Sequence, residues 1–481
     1  MSKRLLMVLR LVANVETRAG RWTITILVYT ISYGFMLPLG NARFWDDWSS
    51  HFYSGTDFLS GQTFPFRQPL DDFLINTSGG FWLYRPLTFA AFLACGWFVW
   101  RISEYPPGFL RTSERTVVVL LFLVLPLNSV RVVAQSLFSY TFSTVFFFLG
   151  WSIWVRQSRF FLFFPALACF ILSFPTHSLL FFAAGPALHV LVSSSIPLAS
   201  RLLQIGVLGT TSFLFRPIMS LIRPDLQLNE GYNTMLPAFL MRASLVLLSV
   251  LALAAYLMFK ASHVTEGETR RCLKIISAGL ALFALGLFPY MAVGHFPNVS
   301  DLLVLFIPNL TENDSRHSLL LPIGTAVTLV GIGRHFLKRE SLTVALAVSL
   351  LTCAFLNVSI YSQYYTDKLK QDGIVHQLEN IPQTQLSSRV MFIDESTRFN
   401  ARGRDLYTFE FLGLLKEAGY DTDFRIISRG DFPCSKSELA SGTVVTITSD
   451  RGRLRAIITG AAGIILNVKS LDLCGEGWKR A

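Results

Sequence analysis

Charged residues are scarce in this 481-residue chain: Asp, Glu, Lys and Arg make up only 15% of it. Soluble domains carry roughly 25% charged residues. Hydrophobic residues reach 52%, and 42 residues are Phe, which suits helices that face lipid better than a water-soluble core. The composition excludes an ordinary soluble protein and predicts a polytopic α-helical membrane protein.

Several signatures of common function classes are also missing. The sequence has no Cys-x-x-Cys pair, no His-rich metal spacing, no glycine-rich phosphate loop and no internal repeat. The net charge of +11 would suit a nucleic-acid partner, but Lys and Arg cluster between apolar runs and form no basic stripe interleaved with aromatic residues. We therefore expect no nucleic-acid partner.

Cysteine is rare as well, with six residues in two groups. Four of them fall in or beside apolar runs and are predicted to be inert packing residues: Cys95, Cys169, Cys272 and Cys353. Cys434 and Cys474 lie in the polar C-terminal tail. If that tail is extracytoplasmic, a disulfide and two free thiols are both compatible with the sequence.

Eleven apolar runs are long enough, or nearly long enough, to cross a bilayer as helices. They are residues 22–40, 84–100, 116–133, 137–155, 160–175, 178–194, 202–216, 236–259, 275–293, 318–333 and 342–361. The basic first segment could imitate the start of a signal peptide, but no small-residue cleavage pattern follows the first run. We therefore predict about eleven transmembrane helices, the first of them retained.

Loop charge predicts the orientation, because Lys and Arg are enriched in every second loop. The predicted cytoplasmic segments are residues 1–21 and the basic loops near Arg101–Arg115, Arg156–Arg159, Arg201, Lys260–Lys274 and Arg334–Arg339. An odd number of spans then places the C-terminus outside. The predicted organisation is a cytoplasmic N-terminus (1–21), a membrane domain (22–361) with a large first outer loop (41–84), and an extracytoplasmic domain (362–481).

The C-terminal tail has its own strand and helix signals. Residues 389–394, 443–448 and 462–468 are short apolar runs typical of buried strands. Residues 405–419 have the pattern of an amphipathic helix that ends at Gly419. About 100 residues are enough for one core, so we predict a small α/β domain.

Two adjacent carboxylates, Asp46 and Asp47, follow the first apolar run within the segment Asn41–His51. A charged pair is too costly inside hydrocarbon, so it must lie at the membrane–water boundary. An acidic pair in that position indicates chemistry on a substrate that is itself partly in lipid. The alternative is that the pair only marks the end of the first span.

Two further polar residues lie at predicted outer ends of spans. Arg85, in the segment Trp82–Thr88, could hold a lipid phosphate with its guanidinium fork, or could simply snorkel towards headgroups. His177 is predicted at the tip of the turn Phe174–Ser178, as a functional group or as a solvated polar residue.

The segment Pro308–Pro322 is a third candidate, because it brings two acids, an Arg and a His close to the start of a span. These residues are Glu312, Asp314, Arg316 and His317. Together they form a plausible anion or metal site. The alternative is a hydrophilic loop followed by a helix whose N-cap is Ser315 or Ser318.

Three short motifs in this order resemble those of the GT-C superfamily of integral-membrane glycosyltransferases. They are Phe44-Trp-Asp-Asp-Trp48, Tyr84-Arg-Pro-Leu87 and Ser315-Arg-His-Ser-Leu-Leu-Leu-Pro322. The size and the outer segments at both ends are also similar to bacterial O-antigen-modifying glucosyltransferases of the cell envelope, which act in lipopolysaccharide synthesis.

The resemblance implies transfer of a sugar from a polyprenyl-phosphate carrier to a cell-surface glycan or lipid acceptor, outside the cytoplasm and with inversion. Asp46 or Asp47 would be the general base. Arg85, His177, Arg316 and His317 would bind the donor phosphate. Asp46, Asp47 and Glu312 offer oxygen ligands to Mg²⁺ or Mn²⁺, and metal dependence is left open. The expected location is the bacterial inner membrane, with the C-terminal domain in the periplasm.

Three other functions compete with glycosyl transfer. A transporter or flippase of lipid-linked sugars is expected to carry charge within its spans, and Arg242 is the clear candidate here, but no repeat accompanies it. An O-antigen polymerase or ligase would depend mainly on Arg and His clusters, which the early acidic pair mildly disfavours. A non-enzymatic assembly scaffold would tolerate neutral substitutions at Asp46 and Asp47.

Overall fold

A computed structural model describes a large part of the chain. It comprises residues 17–45, 47–48, 73–74, 77, 81–125, 131, 133, 135–156, 163–193, 196–222, 236–295, 318–386, 389–420, 424–426 and 441–472. The chain divides into two compact units. The helical unit is Met1–Phe35, Gly61–Asp71 and Tyr84–Val358, and the mixed unit is Met36–Ser60, Asp72–Leu83 and Ser359–Ala481.

The helical unit consists of helices that follow the apolar runs of the sequence. They are α1 Arg18–Tyr33, α2 Tyr84–Ile102, α3 Thr112–Val124, α4 Phe138–Trp154, α5 Phe163–Ser173, α6 His177–Phe182, α7 Ala184–Val192, α8 Leu198–Ile222, α9 Pro237–His263, α10 Gly267–Ala292, α11 Leu321–Phe336 and α12 Arg339–Leu378. A 3₁₀ turn, Gly34–Leu39, continues α1. The last part of α12 belongs to the mixed unit.

Each of the eleven predicted spans overlaps at least one of these helices. Within the described residues, five helices are long and apolar enough to cross a membrane: Arg18–Leu39, Leu198–Phe215, Pro237–His263, Gly267–Ala292 and Glu340–Leu378. These helices support a membrane protein, whereas the number eleven stays a prediction. The predicted span 178–194 is two helices, because Pro186 has no N–H to donate to the carbonyl of Phe182.

An ionic cluster joins the ends of three helices in this unit. Arg271 on α10 pairs with Glu114 on α3 at 2.6 Å. Arg334 on α11 pairs with Glu268 on α10 at 2.7 Å, and Arg111 pairs with the same Glu268 at 2.7 Å. All of these residues lie in or beside loops that the sequence assigns to one face of the membrane. The cluster therefore agrees with the predicted alternation of loops.

Helices α10 and α11 contact each other closely through glycines. A Cβ atom at Gly324 would lie 2.3 Å from the backbone nitrogen of Phe283, and one at Gly279 would lie 2.5 Å from that of Thr328. Real Cβ atoms do not approach backbone so closely, so the two helix backbones meet only because these positions lack side chains. Small residues at helix contacts are typical of packing within membranes.

The mixed unit contains a four-stranded sheet in the order β2-β1-β3-β4. Its elements are β1 Arg389–Asp394, α13 Thr408–Glu417, β2 Arg425–Ile426, β3 Ser441–Ser449, α14 Arg453–Thr459 and β4 Ile464–Asp472. Strand β1 runs parallel to β2 and β3, and β3 runs antiparallel to β4. The predicted α/β tail is confirmed in its strands and its helix. Gly419 has the positive φ of 86° expected just after the end of α13.

The predicted end of the last span at Tyr361 does not end its helix. Helix α12 continues without a break to Leu378. The change to polar residues after Tyr361 marks a change of surroundings, because Leu369, Ile374 and Leu378 of this helix enter the core of the mixed unit. The sequence shows where the apolar surface ends, not where the helix does.

The core of the mixed unit also contains a residue from the first loop. Trp48 is buried there with residues of α12, α13, β1 and β3, including Leu369, Phe411, Val390 and Val445. Chain that follows α1 and chain that follows the apolar part of α12 therefore share one core. Both must lie on the same side of any membrane that these helices cross, and an odd number of crossings meets this requirement.

Candidate functional site

The acidic motif forms a tight turn with an unusual backbone. The Asp47 N–H donates to the carbonyl of Phe44 at 3.1 Å, and the Trp48 N–H donates to that of Trp45 at 2.9 Å. Trp45 has φ of +47°, the left-handed region that bulky residues rarely adopt. Such strain persists only where the surroundings hold it, and it is concentrated at functional sites.

Two side chains of the mixed unit hold the Trp45 ring in place. Tyr364 of α12 meets it edge to face with ring centroids 5.5 Å apart, and the guanidinium of Arg404 lies 5.3 Å from its centroid. The same Tyr364 packs edge to face on Phe44 at 5.0 Å. The strained residue is thus enclosed by aromatic and cation–π contacts from the C-terminal part of the chain.

Arg404 is itself fixed by a buried carboxylate. Its Nη1 and Nη2 donate to the two carboxylate oxygens of Glu410, at 2.6 and 2.7 Å. Glu410 also accepts the Tyr407 N–H at 2.7 Å and so caps the start of α13. Burial lowers the pKa of Arg404, but the pairing with Glu410 raises it more, so the pKa lies above its usual value. The guanidinium that faces Trp45 therefore stays charged.

A second buried polar network lies at the carboxyl end of β1. Lys370 forms an ion pair with Asp394, and its Nζ donates to the Asn400 side-chain oxygen at 2.7 Å. Asn400 donates to Asp394 at 3.0 Å, and Ser396 donates to it through both its backbone N–H and its hydroxyl. Each of these buried charges has its counter-charge. The network therefore stabilises the fold of the mixed unit.

Asp47 is buried, with 2% of its surface exposed, beside the guanidinium of Arg43. Arg43 pairs with Glu417 of α13 at 2.6 Å and lies 4.5 Å from the centroid of the Phe81 ring and 5.2 Å from that of Trp48. Burial lowers the pKa of Arg43, and the negative charges of Glu417 and Asp47 partly offset this decrease. Asp47 thus lies in the field of an enclosed cation.

The loop closes near this cluster, because the Phe81 N–H donates to the side-chain oxygen of Asn41 at 3.0 Å. The two ends of the first outer loop are thereby tied together within the mixed unit. Of the predicted site residues, Asp47 lies here, whereas Asp46, Glu312, Arg316 and His317 lie outside the described residues.

Arg85 and His177 belong to the helical unit. Arg85 is buried as the second residue of α2, and Tyr84 before it packs edge to face on Phe138 at 5.2 Å. An enclosed guanidinium does not behave as a side chain that snorkels into open headgroups. His177 is half-buried, and it is the first residue of α6 after Thr176 as N-cap. The predicted turn is present at residues 174–176, and His177 follows it instead of lying at its tip.

The third candidate segment is described only at its end. Helix α11 begins at Leu321 with Leu320 as its N-cap residue, so the predicted cap at Ser315 or Ser318 is wrong. A Pro within the first turn, Pro322, is compatible with this start, because the N–H groups there have no partner inside the helix.

No group of three or more His, Cys, Asp or Glu side chains that could hold a metal ion occurs among the described residues. The four cysteines predicted to pack inertly, Cys95, Cys169, Cys272 and Cys353, are free and buried as expected. Cys434 and Cys474 lie outside the described residues.

One buried cation of the helical unit was missed by the sequence reasoning. Arg131 is buried, with its guanidinium 3.9 Å from the centroid of the Tyr33 ring and 4.3 Å from that of Phe92. Its Nη1 donates to the carbonyl of Leu123 at 2.8 Å, near the end of α3. The available signal was a single Arg within an apolar run. Arg242, the predicted intramembrane charge, is exposed near the start of α9.

No protein-family model matches the sequence, and a comparison with curated proteins finds no match. The similarity to GT-C enzymes therefore stays a resemblance carried by three short motifs.

Proposed function

We propose that this chain is a membrane glycosyltransferase of the GT-C type. It would transfer a sugar from a polyprenyl-phosphate carrier to a glycan or lipid acceptor at the extracytoplasmic face of a bacterial inner membrane. The observation that supports this most is the strained turn Phe44–Trp48, which carries the acidic pair and which Tyr364 and Arg404 hold in position. Maintained backbone strain is concentrated at functional sites, so the strain at Trp45 supports a functional role for the carboxylates beside it.

The proposed reaction uses one carboxylate as general base. This carboxylate takes the proton of the acceptor hydroxyl, whose oxygen attacks the anomeric carbon of the donor sugar. The new C–O bond forms as the bond to the phosphate oxygen breaks, and that electron pair leaves with the polyprenyl phosphate. A single displacement inverts the anomeric centre, so a β-linked donor gives an α-linked product.

Asp47 is the member of the acidic pair whose burial the structure describes. Asp47 is enclosed beside Arg43, where an acceptor hydroxyl has little access to it. We assign the role of base to Asp46 and a positioning role to Asp47, which would hold the turn through Arg43. The Arg43 guanidinium also disfavours a metal cation at the same carboxylate, so the proposed reaction requires no metal there.

The leaving phosphate gains negative charge as the sugar departs, and cations near it would stabilise the transition state. Arg85 is one candidate, because its guanidinium fork matches phosphate oxygens. His177, Arg316 and His317 are the further candidates for the same role.

The test is transfer of radiolabelled sugar from a polyprenyl-phosphate donor in membranes that contain the full chain. We expect Asp46→Asn to lose about 10² to 10⁴-fold in rate, the usual contribution of a general base. Asp47→Asn should keep measurable transfer but lower the stability of the mixed unit. Asp405→Asn, an exposed acid in the same unit, serves as the control and should be unchanged. Full activity in inserted Asp46→Asn protein would refute the proposal.

One observation favours a different function, a transporter or flippase for a lipid-linked sugar. The buried Arg131 places a cation inside a unit of apolar helices, and such residues commonly mark substrate pathways. If the chain shows no transfer, translocation of a fluorescent polyprenyl-phosphate sugar should be measured in proteoliposomes. A translocation activity lost in Arg131→Gln, but kept in Arg242→Gln, would support this alternative.

A further inference from the structure

Helix α14 of the mixed unit has a reversed apolar pattern. Its smallest apolar residue, Ala456, is fully buried in the core. Its large apolar residues Leu454 and Ile458 are 72% and 76% exposed, and Ile457 is 38% exposed. A surface helix of a soluble domain turns its apolar stripe inward. This helix instead presents aliphatic side chains outward at the spacing of one helical face.

These side chains are three of the five exposed large hydrophobic side chains in the described part of the sheet region. Among the described residues from 389 to 472, the exposed large hydrophobic side chains are Tyr407, Leu454, Ile457, Ile458 and Ile465. All but Tyr407 belong to α14 or to the start of β4. A concentration of this kind marks an interaction surface, whereas isolated exposed apolar residues need no explanation.

Arginines alternate with the aliphatic residues and have two different roles. Arg451 donates to the Thr459 hydroxyl at 3.0 Å and to the Ala461 carbonyl at 3.2 Å, and Arg453 donates to the Asn400 carbonyl at 3.0 Å. These contacts fix α14 on the domain. Arg455 is exposed on the helix itself. The aliphatic residues are therefore held outward on a firmly attached helix with a cationic side chain among them.

We propose that this surface, Leu454, Arg455, Ile457 and Ile458, contacts the headgroup region of an anionic lipid bilayer. Aliphatic residues combined with Arg are typical of segments that lie in the membrane interface. The mixed unit is covalently continuous with Arg18–Leu39 and Glu340–Leu378, two helices apolar enough to span, so a bilayer is within its reach.

The experiment places a single fluorophore on the full chain in nanodiscs of phosphatidylglycerol and nitroxide-labelled phosphatidylcholine. Labels are introduced by Leu454→Cys, Ile458→Cys and, as a control, Tyr407→Cys, after Cys434 and Cys474 are replaced by Ser. All three positions are exposed, so labelling does not disturb the core. We expect lipid-borne quenching to be several-fold stronger at 454 and 458 than at 407. Arg455→Glu should abolish most of that difference.

Equal quenching at all three positions would overturn the proposal, because α14 would then lie no nearer to lipid than the control position 407. Crosslinking between copies at 458 without quenching would overturn it in favour of a second copy of the chain. Strong quenching that is unchanged by Arg455→Glu, or by replacing phosphatidylglycerol with neutral lipid, would overturn the assignment to anionic headgroups. None of these readouts depends on glycosyl transfer, so they are independent of the proposed enzymatic function.

Discussion

Trp48 and Gly413 are in direct contact: a Cβ atom at position 413 would lie 2.3 Å from Cε3 of the Trp48 ring. The glycine lies inside α13, where it costs roughly 1 kcal/mol relative to Ala. This cost is offset because a residue without a side chain at position 413 leaves room for the Trp48 indole in the core of the mixed unit. Helix propensity is here overruled by packing.

Gly413→Ala should therefore destabilise the protein, although Ala is the better helix former. We expect a loss of about 1 to 3 kcal/mol from overpacking against a ring that is itself buried. The measurement is the apparent Tm and the protease resistance of the mixed unit in the detergent-solubilised full chain. Gly452→Ala is the matched control, since nothing lies within 4 Å of its Cβ position. Equal Tm values for both variants would contradict the contact.

The α10–α11 contact predicts a similar effect in the helical unit. Gly324→Ala should separate the two helices, because the new Cβ would lie 2.3 Å from the backbone of Phe283. A lower apparent Tm and earlier aggregation on size-exclusion chromatography are expected. Gly209→Ala on α8 has open space around it and should be neutral or slightly stabilising. If Gly324→Ala melts like wild type, the helices are not in backbone contact.

Glu410→Gln should be far more damaging than Glu417→Gln. Glu410 is fully buried, and its loss of charge leaves the enclosed Arg404 without its carboxylate, at a cost of about 3 to 5 kcal/mol. Glu417 is 39% exposed, and solvent screens its pair with Arg43 to about 1 kcal/mol or less. Urea unfolding of both variants, followed by protease sensitivity, gives the comparison. A reversed order would refute the role assigned to the Arg404 pair.

The shared core of the mixed unit predicts membrane sidedness. Cysteines at Trp82 and Tyr407, both exposed, should react with an impermeant maleimide from the same side of the membrane. A cysteine at Lys338, beside the ionic cluster of the helical unit, should react from the opposite side. The assay compares intact and broken cells, with Cys434 and Cys474 replaced by Ser. Labelling of positions 82 and 407 from different sides would rule out a common core.

Local signals in the sequence were enough for three of the four described strands of the tail and for one of its two described α-helices. The apolar run Arg389–Asp394 predicted β1, and Gly419 predicted the end of α13. Both signals depend only on residues that are close together in the sequence. Helix α14 was missed, since its exposed aliphatic residues contradict the expected inward pattern. Strand β2 has only two residues, Arg425 and Ile426, too few for any periodicity.

The candidate site could be predicted only in part. The acidic pair and Arg85 stand out because charge is costly beside apolar runs. Nothing in the sequence relates Trp45 to Tyr364 or Arg404, since these residues are far apart in the chain and their contacts are purely tertiary. Those contacts hold Trp45 in its conformation, so its positive φ could not be predicted from the neighbouring sequence.

The ion pair between Arg43 and Glu417 joins residues 374 positions apart. At a synthesis rate of roughly 5 to 20 residues per second, Glu417 is made about 20 to 75 s after Arg43. During that interval the aromatic residues around the acidic pair have no core to enter. The nascent chain therefore carries Arg43 without its carboxylate partner until translation is almost complete, and a chain shortened before α13 would never form this ion pair.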